Sequence, residues 1–212
     1  MIDTSHPVVV FGAHPDDLEI GMGGTISKLT SLGYDVTLVV ATLPNFVESD
    51  KKEERKLEAI SSAKIMGCKN VEILDLSPEE IIYNRNLVSL LDSLISKHHP
   101  KTVFTHWTGD SHQDHQFLTK AVISASRDID NLCMYETTIP GGLTENSFRP
   151  QLYVDITKTL ELKIKALKCF KSQFIRCGPL WIDAIIGRSY YRGYQMNSKH
   201  AEAFEIIRLT KW

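Results

Sequence analysis

Short runs of β-branched and apolar residues alternate along this chain with stretches whose apolar positions recur every three or four residues. The runs "PVVVFGA" (7–13), "DVTLVVAT" (35–42), "VEILDL" (71–76) and "TVFTH" (102–106) are nearly continuously apolar, the pattern of strands covered on both faces. Between them, residues 24–33 end on Gly33 and residues 85–99 run up to Pro100. Residues 51–67 set Leu57, Ile60, Ala63 and Ile65 on one stripe and end on Gly67. Each of these three stretches predicts a helix with its own stop signal. Further on, residues 131–137, 151–157 and 203–210 predict strands, residues 115–127 a helix and residues 158–174 another.

Strand alternating with helix predicts the α/β class, a Rossmann-like three-layer sandwich with a mainly parallel sheet and right-handed crossovers. Ligands are then expected beyond the carboxyl ends of the strands. The 212 residues suit one domain, 1–212, with no evident linker, repeat or low-complexity tract. The segment 138–150 is long and lacks periodicity, which predicts a functional loop.

Charge narrows the partners. Lys plus Arg number 24 against 26 Asp plus Glu, a formal charge of −2, and no stretch concentrates positive charge as a phosphate backbone requires, so nucleic acid is not expected. The first residues have neither a basic region nor an apolar segment of signal-peptide length, and no run approaches the roughly 18 apolar residues of a membrane span. The expectation is a soluble, cytoplasmic protein without a membrane partner. Cys68, Cys133, Cys169 and Cys177 are scattered and form no CxxC, which predicts buried thiols rather than a thiolate metal site or a disulfide framework.

Two polar clusters fall at strand ends on the predicted ligand rim: "HPDD" (14–17) after the first strand and "HWTGDSHQDH" (106–115) after the fourth. His14 and Asp17 can offer a nitrogen and an oxygen from either side of one turn, with Pro15 biasing His14 toward extended backbone. The second cluster offers His112, Asp114 and His115, so the third ligand can be either histidine. Two histidines and one carboxylate leave an open position, as a catalytic metal site needs. Asp16 is then free to act as general base, and a protonated His112 to steady an oxyanion and give a proton to a leaving group. Asp114 is expected to hold that imidazole in its useful tautomer. Such ligands suit Zn²⁺, and Fe²⁺ or Co²⁺ would be accepted by similar sets.

The stretch "GAHPDDLEIGMGGTI" with the later "HQDH" resembles the LmbE-like or PIG-L family of zinc-dependent N-acetylglucosaminyl deacetylases. The likeness takes in the strand before each motif and the helix with Arg55, Glu58, Ala63 and Gly67, with a weaker echo in "RGYQMNSKHAEAFE" (192–205), where Asn197 replaces a family glycine. It implies that His14, Asp17 and His115 bind zinc, that Asp16 is the base, and that His112 serves the oxyanion and leaving amine with Asp114 behind it. It further implies that Arg55 meets substrate, that the substrate is a small N-acetylated amino sugar or glycoside, and that the chain assembles as a homo-oligomer. Some members of the family carry a tyrosine just before HxDH, and "TGDSHQDH" has none.

Other functions must be set beside this one. The "GMGG" run lacks GxGxxG spacing, and carboxylates occupy the turn where a pyrophosphate should lie. A zinc amidase acting on a larger amide conjugate uses the same groups. A non-catalytic carbohydrate-binding protein is a further alternative, with Trp107, Phe148, Trp181, Tyr190, Tyr191 and Tyr194 as sugar platforms. Residues 43–52 and 138–150 are the expected specificity loops, and His200 and Glu202 are open as site, rim or interface residues.

Overall fold

The computed structural model describes residues 6–43, 49–137, 140–144 and 146–210. Parts of both expected specificity loops, residues 44–48, 138, 139 and 145, lie outside the described residues. Seven strands form one sheet: β1 (Val8–Gly12), β2 (Val36–Val40), β3 (Asn70–Ile73), β4 (Thr102–His106), β5 (Asn131–Tyr135), β6 (Leu152–Asp155) and β7 (Ala201–Leu209). Their order is β3-β2-β1-β4-β5-β7-β6, with β7 antiparallel to both neighbours and the other pairings parallel.

Burial on both faces explains the unbroken apolar strands. Val9 and Phe11 point into a core with Leu87, Leu91, Leu118 and Val122, which belong to α3 (Arg85–His98) and α4 (Gln113–Ala125). Val8 and Val10 point to the opposite face, against Leu18, Met22 and Ile26 of α1 (Asp17–Ser31), Ala63 of α2 (Ser49–Ile65) and Ala166 of α5 (Leu160–Leu167). The sheet is thus sandwiched between two helical layers, as the alternation predicts. Among the described residues no helix is long and apolar enough to cross a membrane.

The strand order reverses at β1, which has β2 on one side and β4 on the other. A crevice opens at the carboxyl ends of strands at such a switch point. The two polar clusters follow β1 and β4, so the topology brings them together.

Three helices differ from expectation beyond a residue or two at their ends. The helix expected from residue 24 begins at Asp17, and "GMGG" lies inside it. Gly21 is needed there because an added Cβ would stand 2.1 Å from the Tyr135 ring, which is held by a hydrogen bond from its hydroxyl to Phe11 O. The helix expected over 158–174 divides into α5 and α6 (Lys171–Cys177). The helix α7 (Leu180–Gln195), absent from the sequence reading, is stabilised by Trp181, Ile182 and Ile185 in a satellite core with Leu167 and Phe170. Its Gly193 lies so close to Lys199 that a Cβ would meet that backbone at 2.6 Å. Tertiary packing overrides the low helix propensity of "RSYYRGY".

Helix α1 breaks at Met22 (φ −148°, ψ 24°). A break leaves backbone groups without helical partners. Here Ile20 O accepts from Lys163 Nζ (2.9 Å) and Arg188 Nη2 (2.6 Å), while Gly24 N and Thr25 N donate to the two carboxylate oxygens of Glu202 (3.0 and 2.6 Å). Lys163 Nζ also donates to Glu202 Oε1, and both side chains are buried. Glu202 is therefore a brace for α1, and His200, which meets Ser189 Oγ at 3.1 Å, is buried beside it in sequence. Glu202→Gln should lower unfolding free energy by about 3 kcal/mol, because Lys163 loses its countercharge and the amides lose a charged acceptor. Urea denaturation of the metal-free protein checks this; a change below about 1 kcal/mol would mean that the ion pair adds nothing net.

Candidate active site

Asp16 begins the site with an unusual backbone. Its φ of 101° and ψ of −25° put it in the left-handed region at the start of α1, a conformation costing about 1–3 kcal/mol for most side chains and less for Asp. An aspartate at this position usually caps the helix with its side chain. Asp16 makes no such bond, and its carboxylate lines the cavity. Burial and the adjacent Asp17 push it up to about 8, with Arg55 and His14 pulling the other way.

Asp17 faces three histidines. Its Oδ2 accepts the backbone N–H of His14 at 2.7 Å and lies 3.3 Å from His14 Nδ1, 3.2 Å from His115 Nε2 and 3.3 Å from His106 Nε2. Burial opposes its charge, but the His115 ring holds its carboxyl well below the usual carboxylate range. His14 Nδ1 and His115 Nε2 are 3.3 Å apart. The three atoms make a nearly equilateral triangle.

That triangle suits a metal ion. Zinc bonds of about 2.0–2.2 Å in a tetrahedral site put neighbouring donors about 3.3 Å apart. The far nitrogens fit too: His14 Nε2 meets Asp114 Oδ2 at 3.0 Å, and His115 Nδ1 lies 3.0 Å from Asp110 Oδ2. The Asp114 carboxylate hydrogen-bonds the outer nitrogen of His14 and the Asp110 carboxylate stands beside that of His115, which leaves the inner nitrogens to face the common point. Without an ion, burial disfavours charge on both rings, yet Asp114 and Asp17 raise His14 to about 9, and Asp17 and Asp110 raise His115 to about 10. The histidines and carboxylates brought together here can hold a metal ion.

His112 stands outside the triangle. Its Nδ1 accepts from Asp114 N at 3.2 Å, so it caps α4 and a neutral ring carries its proton on Nε2; the residue lines the cavity. Burial and the His14 and His115 rings lower its pKa, which favours the neutral ring. Asp114 was expected behind His112; its carboxylate hydrogen-bonds His14 at 3.0 Å and stands 3.9 Å from His112 Nδ1, so it faces both rings, the nearer being His14. The turn into α4 points the Asp114 side chain back across the crevice, a direction that sequence spacing does not encode.

Two groups escaped the sequence reading although both lie in the quoted "HWTGDSHQDH". Asp110 accepts from His112 N (2.9 Å) and from Thr137 Oγ1 as well as facing His115. His106 is fully buried, accepts from Ala13 N at 3.0 Å and stacks on His115 with ring centroids 3.8 Å apart. Burial and His115 push it down to about 4.

His14, Asp16, Asp17, His112 and His115 line a cavity of about 640 Å³ together with the apolar Ile20, Leu180, Trp181, Ala184 and Ile185. Arg55 also lines it, but Nη2 donates to Pro15 O (2.8 Å) and Nη1 to Ser172 Oγ (2.9 Å). Of the six aromatics considered as sugar platforms, Trp181 alone lines the cavity among the described residues. Phe148 packs edge-on to Trp107, and Arg192 lies over Phe148 and Tyr191. No tyrosine lines the cavity among the described residues.

The profile of the family described as PIG-L, GlcNAc-PI de-N-acetylase, matches residues 9–126, over half of the chain and both polar clusters. The chain belongs to the PIG-L family. It is 31% identical over 172 residues to the uncharacterized deacetylase YaiS of Escherichia coli (strain K12), covering 78% of this chain and 90% of that one. Against the diacetylchitobiose deacetylase of Thermococcus kodakarensis identity is 28% over 220 residues, 94% of this chain and 82% of the relative. Among solved structures, the N,N'-diacetylchitobiose deacetylase of Pyrococcus horikoshii, complexed with its inhibitor MPG, superposes with a TM-score of 0.83 at 26% identity, covering 95% of this chain and 84% of that one. These relatives are deacetylases, and this PIG-L chain shares their fold.

Proposed function

We propose that the protein removes the acetyl group from an N-acetylglucosamine-containing small molecule or glycoconjugate, releasing acetate and a free amine, with zinc held by His14, Asp17 and His115. One observation carries the reading: an uncapped, strained carboxylate, Asp16, opens into the same cavity as a three-donor triangle of metal-site dimensions. A zinc ion supplies Lewis acidity, polarising a carbonyl and lowering the pKa of water.

The chain's own groups divide the proton work. Asp16 takes a proton from the attacking water as its oxygen joins the acetamide carbon. His112 donates a hydrogen bond from Nε2–H to the oxygen that gains charge, the part a tyrosine plays in some relatives' motif. When the C–N bond breaks, the departing nitrogen takes the proton that Asp16 holds. With His112 Nδ1 occupied as an acceptor of Asp114 N, the neutral ring steadies charge and leaves proton delivery to Asp16. The carboxylates of Asp114 and Asp110 keep His14 and His115 oriented.

A carbohydrate-binding protein has no use for a second carboxylate kept off its own helix end. The test is acetate and amine measured together on N-acetylglucosamine, diacetylchitobiose and an aryl N-acetylglucosaminide. Equal acetate and amine are expected from at least one substrate, with turnover lost in chelator and restored by Zn²⁺. Release that persists after complete metal removal would overturn the mechanism. Elemental analysis of protein purified without added metal decides among Zn²⁺, Fe²⁺ and Co²⁺.

A further inference from the structure

Arg55 lines the cavity, yet its guanidinium is committed to the protein. Nη2 donates to Pro15 O at 2.8 Å and lies 3.7 Å from Asp16 Oδ1, while Nη1 donates to Ser172 Oγ at 2.9 Å. Ser172 Oγ in turn donates to Glu58 Oε2 at 2.8 Å, and Ser172 N donates to Glu58 Oε1 at 3.1 Å. The hydroxyl thus serves as acceptor from one neighbour and donor to the other. Arg55 and Glu58, three residues apart on α2, are each 7% exposed.

Pro15 O belongs to the peptide plane that sets φ of Asp16. Turning that plane would let Asp16 leave the left-handed conformation and would draw away the guanidinium that stands 3.7 Å from Asp16 Oδ1, so the carboxylate would lose the neighbour that fixes its aim. A buried, planar guanidinium with both terminal nitrogens bonded resists the turn.

We propose that Ser172 and Glu58 are positioning residues that, through Arg55, hold the Pro15–Asp16 peptide in the strained conformation that aims the Asp16 carboxylate into the site. The proposal rests on the reading of Asp16 as the base. Ser172 comes from α6, whose Gln173, Arg176 and Cys177 line the cavity, so the base is tied to the wall that a substrate meets.

The test uses the metal-loaded full chain with Ser172→Ala, Ser172→Thr and Glu58→Gln, alone and with Ser172→Ala/Glu58→Gln combined. Ser172→Ala should lower kcat about tenfold with KM and metal content unchanged, and Ser172→Thr, which keeps the hydroxyl, should stay within about twofold of the parent. The combined variant should be no worse than the poorer single one. In the metal-free protein, Ser172→Ala and Arg55→Lys should shift the urea midpoint non-additively, a readout independent of turnover. A rise in KM at constant kcat, a threonine variant as impaired as the alanine one, or additive midpoints would each overturn the positioning role. No acetate from the parent protein on any substrate overturns the assigned reaction instead, and the metal-free cycle still reports whether Ser172 and Arg55 act as one unit.

Discussion

Asp16→Asn is expected to lower kcat by about a thousandfold while bound metal stays at the parent level and KM changes by less than about threefold. Asparagine is the informative replacement because it shares the shape of aspartate and tolerates a φ of 101°. Arg55 Nη2 can still bond Pro15 O, so the backbone should remain. Only the capacity to take a proton is lost. Stability should be unchanged or higher: the carboxyl is buried beside the charge of Asp17, which raises its pKa to about 8, and such a group destabilises the fold when ionised. Metal analysis, steady-state kinetics and a thermal midpoint on one preparation check all three parts. Near-parental turnover would remove Asp16 as base, and loss of metal would make it a ligand.

Asp17→Asn should be more damaging still. Its Oδ2 faces His14, His106 and His115 together and ties down the backbone of His14, so neutralising it removes the charge between those rings and, on the proposed reading, a charged metal ligand. Breaking a buried charge network by removing one partner costs about 3–5 kcal/mol, and the whole fold is stable by only about 5–15 kcal/mol. The variant should therefore bind no stoichiometric metal, show no measurable acetate release and unfold at lower urea even when the parent is compared metal-free. Retention of metal at parental affinity would place the site elsewhere. The two variants separate neighbouring carboxylates that composition treats as equivalent.

Much of the architecture is visible in the apolar pattern because two-sided burial leaves Val8, Val9, Val10 and Phe11 no polar interruption. The meeting of His14, Asp17 and His115 follows from topology, since β1 and β4 are neighbours at the point where strand order reverses. What the sequence conceals is the direction of side chains at that meeting. Asp114 turns to His14 because of how the first turn of α4 crosses the crevice, and nothing in "HQDH" distinguishes that from a bond to His112. Asp110 and His106 are found by looking outward from His115 and Asp17 to the groups that stand 3.0 and 3.3 Å from them, a search that requires coordinates. Helix α7 hides for a different reason: its aromatic and glycine-containing sequence is helical only against the rest of the fold.

The brace across the break in α1 also bears on how the chain acquires its activity. Gly24 and Thr25 find their acceptor in Glu202, 178 and 177 residues further along, on a strand inserted between β5 and β6. Contacts of such long sequence separation form late, and a nascent chain folds from its N-terminus as it is made. Until β7 has been synthesised and slotted into the sheet, the helix that begins at Asp17 has open amides at its midpoint. The donor triangle at its start is therefore assembled on a scaffold that β7 completes, so the site is in place only after β7 has joined the sheet.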